Sequence, residues 1–122
     1  MISRNRKESK KGIALSGNAC VVCGWSGKNY KNETLLVGAH VRPFESGSEF
    51  DKADNIIALC PNHHAEYDGY AFTIDATTKK IICIDPNNKY NGLCIKDRIK
   101  HVKTEYLAYE QYQFNEALGV VE

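Results

Sequence analysis

With 122 residues, 43% hydrophobic and 25% charged, the chain has the composition of one modest globular domain and is too short for two independent cores. No apolar run is long enough to cross a bilayer, and no apolar segment follows the charged N-terminus as a secretion signal requires, so a cytoplasmic protein without a membrane partner is expected. The formal charge of +1 excludes no partner, and no repeat or low-complexity tract is present.

Residues 1–19 read as a basic arm with a short helix, and residues 20–122 as the single domain proper. Arg4, Arg6, Lys7, Lys10 and Lys11 stand against Glu8 alone, a charge run that suits either a solvated terminus or contact with phosphates. A short helix is expected within Ser3–Ser16, ended by Gly17 and Asn18. Cys20-Val21-Val22-Cys23-Gly24 reads as a knuckle whose glycine permits the bend that aims two thiolates at one ion. Ser26–Asn32 is loop-like. Thr34–His40 has strand character, interrupted by Pro43. Phe44–Asp54 reads as a loop joining two antiparallel extended segments, the second being the apolar run Ile56–Leu59.

Cys60 ends that run, and Pro61 suits the first position of a helix of about two turns, closed by Gly69. Tyr70–Asp75 and Lys80–Asp85 read as a β-hairpin, with a turn at Asp85-Pro86-Asn87-Asn88. From Asp97 to Leu118, the spacing of Ile99, Val102, Tyr106, Leu107, Tyr109 and Phe114 suggests an amphipathic C-terminal helix.

Five cysteines, an odd number, argue against a disulfide framework. Cys20, Cys23, Cys60 and His63 form two knuckles of two-residue spacing, the Cys₃His ligand set of a closed structural Zn²⁺ site. A variant uses His64 in place of His63. Neighbouring helical side chains diverge by about 100°, so with His63 on zinc, His64 points elsewhere. Asp68 follows it by one helical turn and shares its face, which lets the pair reach a second ion.

The motifs C-V-V-C-G, A-H-V-R-P and N-I-I-A-L-C-P-N-H-H-A-E-Y-D-G-Y-A-F resemble the HNH endonuclease family, the ββα-metal nucleases. The resemblance spans about Cys20–Phe72 and is nearest the branch with alanine before the first histidine and D-G after the double histidine. It implies a small α+β fold: a zinc-stapled ββα-metal core with an added β-hairpin and a C-terminal helix.

It further implies roles. His40 would be the general base toward the attacking water, a task suited to a group titrating near neutrality. Asn55 would hold the loop or the His40 ring through its amide. His64, with Asp68 as a second protein ligand, would bind a catalytic divalent ion, Mg²⁺ or a transition metal such as Mn²⁺, Co²⁺ or Ni²⁺. Arg42 could hold a phosphate, or be a plain surface arginine. Trp25 and Tyr30 could stack on bases or pack beside the knuckle, and His101 falls on an expected basic helical surface.

Many family members carry a metal-binding Asp before the first histidine, where this chain has Ala39. The expected activity is hydrolysis of DNA phosphodiester bonds to 5′-phosphate and 3′-hydroxyl ends, in a restriction, phage or mobile-element setting, with a homodimer, partner or fused domain supplying recognition. Ala39 keeps open an inactive zinc-stabilised nucleic-acid-binding module, and the same site would support an RNA-directed or toxin-type nuclease.

Overall fold

The apolar run Ile56–Leu59 forms strand β2, buried along its whole length. It pairs antiparallel with strand β1, Val37–His40, in a register that sets Val37 opposite Leu59 and His40 opposite Ile56. The computed structural model of the chain describes residues 5–43 and 47–119.

Helix α1, Arg6–Leu15, starts at Asn5, whose side chain accepts hydrogen bonds from the backbone N–H groups of Lys7 and Glu8, as an N-cap does. It packs directly on β1 and β2. Gly12 makes this approach possible, since a Cβ there would come within 2.5 Å of Ile56 Cγ2. Ser16 closes the contact: its hydroxyl donates to Gly12 O at 2.9 Å and accepts from Ala58 N at 3.2 Å. The N-terminal helix is thus seated on the sheet, with Ile13 in the core.

Strand β1 is shorter than Thr34–His40 because Asn29 draws the preceding segment into a tight turn, accepting from the N–H groups of Lys31 (2.9 Å) and Glu33 (3.0 Å). Within the connection to β2, Ser48–Phe50 and Ala53–Asn55 form short 3₁₀ turns. Helix α2, Pro61–Asp68, follows β2 after the single residue Cys60, which caps it, and ends at Gly69. Strands β3, Phe72–Ile74, and β4, Ile81–Cys83, make the second two-stranded sheet.

Helix α3 runs over Thr104–Ala117, starting later than Asp97. The preceding residues are tied individually to the core. Arg98 Nη1 donates to Val21 O at 2.9 Å, His101 Nε2 lies 2.7 Å from Ile56 O, and Lys103 N donates to Asp54 O at 3.1 Å. The last of these takes a backbone N–H that a helix running through the segment would use internally. His101 is therefore a half-buried link to β2, correcting its placement on a solvated basic helical surface. Helix α3 packs on β3 and buries Tyr106, Leu107, Glu110 and Phe114.

The result is α+β: β1, β2 and α2 form a ββα unit, with the β3–β4 hairpin and α3 added to it. Among the described residues, no helix is long and apolar enough to cross a membrane.

Candidate active site and metal centre

The knuckle turns at Gly24, whose φ of +78° is the left-handed conformation that glycine adopts without strain. Gly24 N donates to Cys20 O, and Cys20 N to Trp25 O, both at 2.8 Å, while Val21 N joins the knuckle to β2 through Ala58 O at 3.0 Å. Cys60, at the far end of β2, and His63, in the first turn of α2, are thereby brought to Cys20 and Cys23. The ligand atoms of these four residues all lie within 4.8 Å of one another.

Individual separations are 3.7 Å for Cys20 Sγ to His63 Nδ1, 3.2 Å for Cys60 Sγ to His63 Nδ1 and 3.9 Å for Cys23 Sγ to Cys60 Sγ. A tetrahedral zinc with ordinary Zn–S and Zn–N bonds has ligand–ligand edges of about 3.5–3.8 Å. The donor set and its spacing therefore fit Zn²⁺, with His63 and not His64 as the nitrogen donor. Burial pushes the Cys23 thiol up to about 11, with the Cys20 and Cys60 thiols adding to the rise; a bound cation reverses that preference, because the thiolate is the ligating form. Burial lowers the pKa of His63 and so favours the neutral imidazole that a metal requires. Trp25 sits beside the cluster, lining a groove with Cys23 and Cys60, whereas Tyr30 is almost fully exposed.

His64 leaves α2 in another direction. Its Nε2 lies 3.2 Å from Asp68 Oδ2, one helical turn on. Two cis ligands of an octahedral ion at ordinary metal–ligand distances stand about 3 Å apart, so this pair also fits a divalent cation. Asp68 and His40 both line an open cleft of about 250 Å³, together with Val41, Tyr70, Tyr109 and Glu110.

His40 ends β1, and its Nε2 meets Asp51 Oδ1 at 2.8 Å. Asp51 carries no signal in the sequence. Asn55, wholly buried, accepts from Arg42 N at 2.8 Å and donates through Nδ2 to the carbonyl oxygens of Arg42 and Phe50, both at 2.7 Å. Its amide thus clasps the two ends of the loop between β1 and β2. Ala39 is buried in the apolar core.

Arg42 is not a plain surface arginine: its guanidinium lies between the rings of Phe50 and Tyr109, 4.3 and 4.2 Å from their centroids. Arg6, Lys7, Lys10 and Lys11 are exposed on α1, while Arg4 lies outside the described residues. A second residue without a sequence signal is Glu110. It is buried, accepts a hydrogen bond from the Thr73 hydroxyl, and desolvation raises its pKa to about 7.

An antiparallel strand pair and a helix, stapled by a Cys₃His cluster and carrying a histidine at the end of the first strand, define a ββα-metal unit of the HNH type. Residues 20–75 match the family model described as HNH endonuclease, so the resemblance carried by the sequence motifs stands. Among solved structures, the chain is similar to a modification dependent TagI restriction endonuclease, with a TM-score of 0.71 and 25% identity over 90% of this chain. It spans 38% of that protein's chain. No curated protein matches it by sequence.

Proposed function

We propose that the chain is a metal-dependent endonuclease that hydrolyses DNA phosphodiester bonds to 5′-phosphate and 3′-hydroxyl ends. The observation that carries this reading is the opening of His40 and Asp68 onto one cavity, within a stretch that matches the HNH endonuclease family. His40 takes a proton from water, and the hydroxide oxygen bonds to phosphorus as the P–O3′ bond breaks. The departing O3′ retains the bonding electron pair and takes a proton from a second water.

His64 and Asp68 hold a divalent ion, Mg²⁺, Mn²⁺, Co²⁺ or Ni²⁺, which when bound polarises the phosphate and stabilises the leaving oxygen. Cys20, Cys23, Cys60 and His63 hold a structural Zn²⁺. Asn55 keeps the loop after His40 in place. The basic residues Arg6, Lys7, Lys10 and Lys11, exposed on α1, lie along the DNA backbone, and Arg42, held between two rings, presents its charge near the cleft. The TagI likeness and the short span of that protein's chain support a nuclease module in a restriction setting, with recognition supplied by a second copy, a partner or another domain. A reducing cytoplasm suits the thiolate ligands.

The test is supercoiled plasmid incubated with zinc-loaded protein and each divalent ion, wild type against His40→Ala. Nicking that falls at least roughly 100-fold in the variant is expected. Intact plasmid that is nevertheless retarded in a gel would establish a binding module instead, and cleavage of RNA alone would establish an RNA nuclease.

A further inference from the structure

We infer that Asp51 is the positioning residue of the general base, holding the His40 ring in the tautomer that leaves Nδ1 as its basic nitrogen. The inference rests on the nuclease reading above and adds to it a residue and an atom.

His40 Nε2 and Asp51 Oδ1 are 2.8 Å apart, with side-chain exposures of 10% and 4%. An ionised carboxylate only accepts hydrogen bonds, so the neutral ring places its hydrogen on Nε2. The second carboxylate oxygen is committed as well: Asn5 N–H donates to Asp51 Oδ2 at 2.5 Å. The flanking backbone is pinned on both sides, Phe50 O by the Asn55 amide at 2.7 Å and Ala53 N by Glu8 Oε1 at 3.0 Å. A carboxylate fixed through both oxygens, on a backbone pinned before and after it, orients what it touches. When a water proton transfers to Nδ1, the imidazolium keeps Nε2–H on Asp51, which stays ionised and supplies the counter-charge.

A merely structural ion pair and a positioning pair diverge in Asp51→Asn. Because Asn5 N–H needs an acceptor, the new amide turns its oxygen toward Asn5 and its NH₂ toward His40 Nε2. That reverses the tautomer, placing the hydrogen on Nδ1 and removing the base while the fold persists. An Asp→Asn change that imposes the wrong histidine tautomer lowers kcat by about 10⁴ in a serine protease.

The experiment is long-range ¹H–¹⁵N correlation on zinc-loaded, ¹⁵N-histidine-labelled protein at about pH 8, above the ordinary histidine range, with His40 assigned by loss of its signals in His40→Gln. Plasmid nicking kinetics and zinc content are measured on the same samples. Wild type is expected to carry Nε2–H, and Asp51→Asn to carry Nδ1–H, with kcat reduced roughly 10²–10⁴-fold and KM within about threefold. Nδ1–H in the wild type, or an Asp51→Asn variant that cuts within threefold of wild type, overturns the inference. The wild-type spectrum decides even where the variant fails to fold. A wild type that cuts no DNA while carrying Nε2–H on Asp51 overturns the nuclease reading, and with it a catalytic role for Asp51.

Discussion

Replacing Glu110 by glutamine should stabilise the protein in mildly alkaline buffer and leave it almost unchanged in acid. Glu110 is buried on α3, where desolvation lifts its carboxyl from 4.5 to about 7, against a partial offset from the Thr73 hydrogen bond. The folded chain thus holds this proton more tightly than the unfolded chain does. Its contribution to stability is fully present below pH 4.5 and is lost as pH rises through about 7. The interval from 4.5 to about 7 corresponds to about 3 kcal/mol at most. A glutamine side chain in this place would accept the Thr73 hydroxyl in the same way and carry no charge at any pH. Urea unfolding of zinc-loaded wild type and Glu110→Gln between about pH 5 and pH 8.5 reads the effect as a difference, which cancels the pH dependence of the zinc ligands common to both. The two should differ by less than about 1 kcal/mol near pH 5, with the variant ahead by about 3 kcal/mol at pH 8.5. Parallel curves, or a variant less stable than wild type in the alkaline buffer, would refute the reasoning.

Cys60→Ala removes both a proposed zinc ligand and the cap of α2, and should give a chain that retains no stoichiometric zinc and lacks a cooperative thermal transition, as seen by atomic absorption and calorimetry. A zinc-free Cys60→Ala that melts like wild type would sink the structural-zinc assignment. Ala39→Asp should not strengthen the catalytic metal site: Ala39 is 2% exposed among core side chains, so burying a carboxylate there should cost about 2–5 kcal/mol, with no gain in Mn²⁺ affinity by titration calorimetry.

Much of this arrangement is legible in the sequence because it depends on local spacing. Cys-x-x-Cys, Cys-x-x-His and the Pro61 helix start place their residues by geometry that a few neighbours determine. The antiparallel pairing of β1 with β2 follows from two apolar segments around a polar loop. What escapes depends on long-range pairing. In the polar stretch before Asn55, nothing distinguishes Asp51 from Glu49 or Asp54; only the loop's return toward β1 and its contact with Asn5 single it out. Glu110 falls at a core-facing position of α3, where periodicity marks the face but not the partner, Thr73, which lies on a different element. The start of α3 differs from the expected one because Ile99 and Val102 do reach the core, yet from a segment held by bonds to Val21, Ile56 and Asp54. Arg42 reads two ways in the sequence for the same reason, since one of its two ring partners, Tyr109, lies far along the chain on α3.

The adjacent histidines of α2 would make the two proposed metal sites mechanically dependent on each other. Cys60 is the last residue before the helix, its Sγ accepts from His63 N at 3.4 Å, and that same sulfur faces His63 Nδ1. The first turn of α2 is therefore anchored through the Cys₃His cluster, which fixes the rotation of the helix about its own axis. Rotation is the variable that decides where His64 and Asp68 point, because each residue advances the direction by about 100°. Anchoring His63 aims the Asp68 carboxylate at the cavity that His40 lines. In the loop after β1, Asp51 holds His40 directly, and Asn55 pins the carbonyl of Phe50 beside it. The proposed catalytic ion and general base, on two different elements, would meet only with both anchors in place. Thus the proposed structural zinc, held at the other end of α2's first turn, would still set the separation across which the proposed hydrolysis takes place.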